Sequence, residues 1–520
     1  FMSEKPNILL ITTDEQRWDS LSFFGKPGYR TPVLDRLARE GLIFNRAYCP
    51  SPICTPARVS LLTGLYPSRS GAFTIGTPDL ACFDEGQPNL PRLLAEAGYG
   101  TAIIGKTHFV ARNLEEKHVA GQRYPKGEDP DPDMEFWHNF TGPYVGFEYA
   151  QHCPIHSNGG LPSASYRAWL EKQGVNLDEY HREKKQPPTE KAPQFGPWDV
   201  PEEYHQTTWI TQDSMDYIRR QHEADKPWFC WASYQDPHYP LVCPRKYYDE
   251  VDMTGVDLGG WQEGEFADKP PFYQNVRDGI YWTDGERDFW NREQAFGVPN
   301  AIEYDRIEKP YEGIRAYIGM CNMIDVYVGK LVDFLDELGV RENTLIIFTT
   351  DHGDYLGQHG FWYKGLPAYD DCQKVPMVVN WPKGMESLEN KGLSRAFFNL
   401  VDIPATCLDA AGLDLAPGMQ GASMLPVIRG EAEMVRDWSI TEMNPTPYVF
   451  QETFVHDDYK MVVYRDAEYG ELYNMKEDPE QKKNLWSLPE YAELRGRLLL
   501  RMARANLERA GQIPPRVNYA

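Results

Sequence analysis

Apolar and polar residues follow two rhythms along this chain. Short, nearly continuous apolar runs recur at residues 7–13, 99–104, 228–234, 344–350 and 376–381. Uncharged apolar runs of that length read as strands buried on both faces. Segments of helical period lie between them. Residues 31–41 form a helix with Thr31 as N-cap, Pro32 in the first turn and Gly41 as the stop. Residues 90–97, closed by Gly98, read the same way, as do 209–222 and 311–338. The alternation predicts an α/β fold, a large and mostly parallel sheet sandwiched by helices. After about residue 430 the rhythm changes. Residues 438–442 and 459–465 read as short antiparallel strands, followed by Leu472-Tyr473-Asn474 and an amphipathic helix from 489 to about 510. The expected division is a large N-terminal domain, 1–430, and a smaller C-terminal α+β subdomain, 431–520. Two irregular stretches, 111–205 and 240–305, are rich in Pro, Gly, Asp and aromatics, with dense aromatic runs at 135–140 and 281–290. They read as insertions that cover the scaffold and can wall a cleft.

Composition narrows the partners. The chain has 520 residues and a net charge of -24. A field of that sign repels nucleic acid and anionic membrane, so neither is expected as a partner. An anionic substrate would need a locally positive pocket. No apolar run approaches the roughly 18 residues of a membrane span. The nine cysteines are odd in number and scattered, and no CxxC occurs. A dense disulfide framework and a structural zinc site are both disfavoured. The opening residues run straight into a strand and do not resemble a signal peptide. The chain is therefore expected to be cytoplasmic, or periplasmic or secreted after loss of a leader.

The most informative segment is Pro52-Ile-Cys54-Thr-Pro56-Ala-Arg58-Val-Ser-Leu-Leu-Thr-Gly64. Cys54 is expected in a Pro-bounded turn just before a short helix, 57–62. A helix N-terminus offers free N–H groups and a positive dipole end, and Arg58 adds a fixed cation. That setting binds anions and lowers a thiol pKa. A buried, inert loop cysteine fits the local residues equally well.

Cys-x-Pro-x-Arg followed by a hydrophobic pair and Thr-Gly resembles the signature of the type I sulfatases of the alkaline phosphatase superfamily. Ala57 stands where many members carry Ser. A second matching motif is Gly98-Tyr-Gly-Thr-Ala-Ile-Ile-Gly105-Lys106-Thr-His108. A third is Leu345-Ile-Ile-Phe-Thr-Thr-Asp351-His352-Gly353, followed by Lys364. The stretch 471–485 is also typical. The resemblance runs from about residue 5 to 490 and is weakest in the two insertions.

The resemblance implies roles. Cys54 would be oxidised to formylglycine by a formylglycine-generating enzyme. Asp14, Asp351, His352 and the modified Cys54 would hold a divalent metal, with Glu15 placed where many sulfatases have a second Asp and some relatives Gln. Calcium is expected from the oxygen donors, with manganese as the alternative because His352 brings an imidazole nitrogen. Arg58 and Lys106 would hold the formylglycine hydroxyl, Lys364 a sulfate oxygen, and His238 the leaving oxygen as general acid. His108 would take the proton that releases sulfate. His359 reads as structural. Without the resemblance the default readings are a surface lysine at 106, a partly packed histidine at 108, a Pro-framed turn histidine at 238 and a solvated loop lysine at 364.

The expected activity is hydrolysis of a sulfate ester, with a saccharide suggested by the aromatic insertions and aryl sulfates as model substrates. Two alternatives stand beside it. One is a phosphonate monoester or phosphodiester hydrolase of the same superfamily, which shares Ala before the Arg and the Asp–His pair but typically lacks Gly-Lys-x-His. The other is a carbohydrate-binding relative that has lost catalysis, and it predicts a missing nucleophile or metal ligand.

Overall fold

Successive side chains of a strand point to opposite faces. In β1 (Asn7–Thr13) both sets are apolar, and every residue after Asn7 is buried. Ile8 and Leu10 face one core, together with Leu345 and Ile347 of the neighbouring strand. Leu9 and Ile11 face the other, with Ile346 and Phe348. A strand with two apolar faces needs a layer of helices on each side, and the computed structural model has that arrangement. It describes residues 5–74, 87–109, 117–119, 122–124, 134–153, 162–177, 195–277, 310–446, 449–465 and 467–510.

The central sheet has eight strands. They are β1, β2 (Leu42–Tyr48), β3 (Gly100–Gly105), β4 (Tyr149–His152), β5 (Trp228–Ser233), β6 (Thr344–Thr350), β7 (Met377–Asn380) and β8 (Gly392–Asn399). Their order across the sheet is β8-β2-β7-β6-β1-β5-β3-β4. Only β7 runs antiparallel to its neighbours. One face is covered by α2 (Cys54–Thr63), α3 (Leu90–Glu96) and α6 (Asp402–Ala410), whose apolar residues join the first core. The other is covered by α1 (Pro32–Glu40), α4 (Gln206–Glu223) and the long α5 (Pro310–Glu337).

The expected α/β sandwich is therefore present, with local differences. Thr31 precedes α1 but makes no side-chain cap. Its hydroxyl is taken up by Ser22 and by Asp35 at 3.1 Å. Helix α4 starts three residues early because His205 Nδ1 accepts the N–H of Thr207 at 3.2 Å. The 111–205 insertion is not only a covering loop, since it supplies β4, the edge strand beside β3. The 281–290 aromatic run and Cys82 lie outside the described residues. The eight described cysteines are all buried and free. Among the described residues no helix is long and apolar enough to cross a membrane.

A separate antiparallel sheet follows, in the order β9 (Trp438–Thr446), β10 (Val449–His456), β11 (Tyr459–Tyr464) and β12 (Gly470–Asn474). Strand β10 was not legible in the pattern because Gln451, Glu452 and Thr453 interrupt the apolar run. Gln451 and Thr453 are nonetheless buried, and Gln373 donates to Thr453 Oγ1 at 3.1 Å. Helix α7 (Ala492–Glu508) lays Leu498, Met502 and Ala505 on this sheet.

The small sheet supports the chain that leads into Cys54. Thr441 Oγ1 donates to the Cys49 carbonyl at 2.6 Å, and Glu442 N to the Pro50 carbonyl at 2.8 Å. The buried Lys460 ammonium reaches Asp370 Oδ1 at 2.7 Å and fastens β11 to the segment before β7. Removing one member of a buried ion pair leaves the other uncompensated, at about 3–5 kcal/mol. Lys460→Met should lower the unfolding free energy by about that amount in urea titration, and Asp370→Asn in the same chain should recover part of the loss.

Candidate active site

In a parallel sheet, the loops that leave the carboxyl ends of adjacent strands meet at one edge. Here those strands are β6, β1, β5 and β3, paired in register. Asp14 follows β1, Asp351 follows β6, Lys106 follows β3 and Ser233 ends β5. Gly105 makes the turn to Lys106 feasible. Its φ is 109°, and a Cβ there would sit 2.0 Å from the Ser233 carbonyl oxygen. Lys106 N then donates to that same oxygen at 2.9 Å.

Helix α2 delivers the remaining groups. It begins at Cys54 itself, not at residue 57, so the cysteine lies in the first turn and not in a preceding loop. Cys54 Sγ is 3.3 Å from His352 Nε2, 3.7 Å from Asp14 Oδ1 and 3.8 Å from Lys106 Nζ. One turn on, Arg58 Nε donates to Asp351 Oδ2 at 2.8 Å, and its Nη1 donates to Ser233 Oγ at 2.9 Å. Lys106 Nζ is ion-paired with Asp14. Asp14, Cys54, Arg58, Lys106, Asp351 and His352 are all buried.

The His352 ring is oriented by its backbone. Nδ1 donates to the Gly353 carbonyl at 2.9 Å, so Nε2 presents its lone pair to the cluster. Ligand atoms of Asp14, Cys54, Asp351 and His352 all lie within 4.8 Å of one another. A second convergent set joins Asp14, Glu15 and His238. Glu15 therefore sits at the margin of the four-residue cluster. Its backbone is left-handed (φ 66°), its N–H donates to Asp351 Oδ1, and its carboxylate is 3.1 Å from His238 Nε2 and 3.4 Å from Lys364 Nζ. Lys364 Nζ is 2.8 Å from His238 Nε2, while His238 Nδ1 donates to the Tyr239 carbonyl at 2.6 Å. His108 is buried two residues past Lys106 and is not in either convergent set. His359 stacks on Tyr369 at 3.7 Å and bonds Glu265, away from the cluster.

Burial sets the charge states. It pushes the Cys54 thiol up to about 11, despite Lys364 and Arg58, with Asp351 and Glu15 adding to the rise. The helix terminus and Arg58 therefore do not produce a thiolate, because desolvation outweighs them. Burial also raises Glu15 to about 6 against the pull of Lys364. It depresses His352 to about 3, so the imidazole is neutral and able to act as a ligand. Burial alone would raise Asp351, but the surrounding positive groups hold it ionised below the ordinary carboxylate range. Burial likewise opposes the Lys364 ammonium, and Cys54, Glu15 and Asp351 more than restore it.

Several contributing residues were not singled out in the sequence. Ser233 receives Arg58, and Arg17 bonds the carbonyls of Asp354 and Tyr355 just past Asp351. Asp236 accepts from Gln206 and Thr207 at 3.0 Å each and offers its carbonyl to Asp14 N, which fixes the loop carrying His238. Strand-end position could have flagged Ser233. The others depend on contacts across more than 20 positions of sequence.

Comparison with known proteins gives a consistent picture. The sulfatase family model matches residues 6–413, and a model of the N-sulphoglucosamine sulphohydrolase C-terminal region matches 357–508. An N-acetylglucosamine-6-O-sulfatase of Bacteroides thetaiotaomicron is 25% identical over 96% of this chain and 85% of its own length. An arylsulfatase of Clostridium perfringens is 27% identical over 94% of this chain and 92% of its own length. The crystal structure of a phosphonate monoester hydrolase of Agrobacterium radiobacter superposes with a TM-score of 0.75 at 23% identity, covering 97% of this chain and 96% of the other.

The thiol assignment is directly measurable. In protein with an unmodified Cys54, alkylation at this site should be negligible at pH 7.5 and rise about tenfold per pH unit toward about 11. Peptide mapping after pH-stepped alkylation reads it. Rapid labelling at neutral pH would contradict the burial argument.

Proposed function

The chain belongs to the sulfatase family and is a sulfuric ester hydrolase, and we propose that it cleaves the sulfate ester of a saccharide with a formylglycine at position 54 and a divalent metal beside it. The supporting observation is the convergence of Cys54 with Asp14, Asp351, His352, Arg58 and Lys106 in one buried cluster. A plain thiol held near 11 is a poor nucleophile at neutral pH. Carried as formylglycine, position 54 would supply a hydrated aldehyde whose hydroxyl is the nucleophile toward sulfur as the S–O bond to the departing oxygen breaks.

The donor set fits a metal. Two carboxylates and an inward imidazole lone pair surround Cys54, and the buried Glu15 carboxylate lies beside them within reach of Asp14 and His238. Asp14, Asp351, His352 and the modified Cys54 would hold the ion, with Glu15 at its edge. Oxygen donors favour calcium, and the imidazole keeps manganese open. The ion's contribution is charge neutralisation at the ester and polarisation of the nucleophile.

The chain's own groups do the rest. Asp351 and Ser233 both hold the Arg58 guanidinium. With Lys106 it orients position 54 and stabilises negative charge that grows on the ester oxygens. Lys364 binds an ester oxygen. The Nδ1 proton of His238 is committed to the Tyr239 carbonyl, which leaves Nε2 as the atom that carries a proton to the departing oxygen. His108, two residues past Lys106, takes the proton whose loss releases sulfate. The saccharide reading is supported by the relative described as an N-acetylglucosamine-6-O-sulfatase. The partly exposed Tyr239 ring, which follows His238 directly, adds to it.

A panel of sugar sulfates, 4-nitrophenyl sulfate and a phosphonate monoester tests this reading, on protein coexpressed with a formylglycine-generating enzyme. A saccharide sulfate should give the highest kcat/KM. Preference for the phosphonate would assign the chain to the other hydrolytic class. His238→Ala should fold and lose roughly 10²–10⁴-fold in kcat on a sugar sulfate. EDTA should abolish turnover, and calcium or manganese should restore it.

A further inference from the structure

Tyr363 immediately precedes Lys364 and is unusual in two independent ways. Its backbone is left-handed, with φ 67°, a region that bulky residues rarely occupy. Its phenolic oxygen is buried without a hydrogen-bond partner, in a residue only 9% exposed. Buried hydroxyls are normally paired, and an orphan is destabilising. The hydroxyls of Tyr66, Tyr99, Tyr217 and Tyr369 also lack partners. Among the described residues, Tyr363 is the only tyrosine that combines this with a left-handed backbone. The conformation is imposed from outside, since the Tyr363 carbonyl accepts from Tyr355 N at 2.8 Å and from Cys372 Sγ at 3.4 Å. Strain of this kind concentrates at functional sites.

The position is informative. The Tyr363 ring stands edge-on to Tyr239 at 5.0 Å, and the Tyr239 carbonyl orients His238. Phe195 packs behind them in the same buried cluster, edge-on to Tyr239 and stacked on Trp362 at 5.6 Å. Of these rings Tyr239 is the partly exposed one, with the Tyr363 phenol packed beside it; an exposed ring backed by one polar tip suits a sugar, which offers an apolar face and hydroxyl edges. The cations Arg58, Lys106 and Lys364 serve the ester oxygens. The phenol has Glu15 and Asp354 as electrostatic neighbours. A neutral group that can donate and accept fits such a place better than another anionic oxygen does.

We propose that Tyr363 is a specificity-determining residue whose hydroxyl hydrogen-bonds a hydroxyl of the departing saccharide, on the side of the ester bond that His238 serves. The proposal rests on the saccharide reading above. It predicts a residue that discriminates by leaving group and not by the sulfate itself. A site built around one such hydrogen bond penalises a substrate that lacks the matching group.

The test compares wild type and Tyr363→Phe on N-acetylglucosamine 6-sulfate and on 4-nitrophenyl sulfate, which has no hydroxyl to offer. The expected result is a loss of roughly tenfold or more in kcat/KM on the sugar and less than about twofold on the aryl ester. In wild type, one deoxy analogue of the sugar sulfate should show the same loss, with no further loss in Tyr363→Phe. The wild-type half of that arm uses the unaltered protein, so it stands even if the variant is unstable. Equal losses on both esters, or no loss on the sugar, would overturn the proposal. If every deoxy analogue matched the parent sugar, it would fail as well. Wild type that hydrolyses the aryl ester but no saccharide sulfate would instead remove the saccharide reading, and the Tyr363 assignment with it.

Discussion

The structure turns on a buried exchange of charge at the carboxyl ends of four parallel strands. Asp14 and Asp351 are fully buried, and so are Arg58 and Lys106. Each of these groups, alone at that depth, would be strongly penalised by desolvation. Together they form a lattice in which Arg58 holds Asp351, and Lys106 holds Asp14. Adding Glu15 and Lys364 keeps the count even, three acids against three cations. A divalent ion among them, as proposed, would make the site net positive. A chain of charge -24 can thereby admit an anionic ester.

That lattice explains why the scaffold is so apolar around it. The strands that present these groups are buried on both faces, with two separate cores gripping alternate side chains. Rigid packing of this sort holds side chains to the tolerance that preorganised electrostatics requires. The small C-terminal sheet contributes from a distance. It bonds the Cys49 and Pro50 carbonyls, a few residues before helix α2 begins. Arg17 and Asp236 act similarly on the loops after β6 and β5.

Much of this was legible in the sequence, for identifiable reasons. Strands β1, β5 and β6 are nearly unbroken apolar runs, and that signal survives without any context. Asp14 and Asp351 could be placed together because both end such runs. Cys54 and Arg58 carried a spaced motif, and the family resemblance supplied their implied partners. What was not legible depends on long-range contacts. Strand β10 hides its buried Gln451 and Thr453 behind polar identity. Thr31 looks like a cap until Ser22 and Asp35 take its hydroxyl. The helix terminus at Cys54 suggested a thiolate, and only the depth of burial reverses that sign. The isolated tyrosine at 363 carries no sequence signal at all.

The most direct measurement is the mass of the peptide containing Cys54, in protein coexpressed with a formylglycine-generating enzyme and shown to hydrolyse a sulfate ester. The buried cluster is interpreted as the mould for a hydrated aldehyde, so the peptide should be lighter than the cysteine form by about 18 Da, as exchange of the thiol and hydrogen for a carbonyl oxygen requires. A peptide that keeps its thiol while the protein turns over the ester would contradict that interpretation and return the nucleophile to another group.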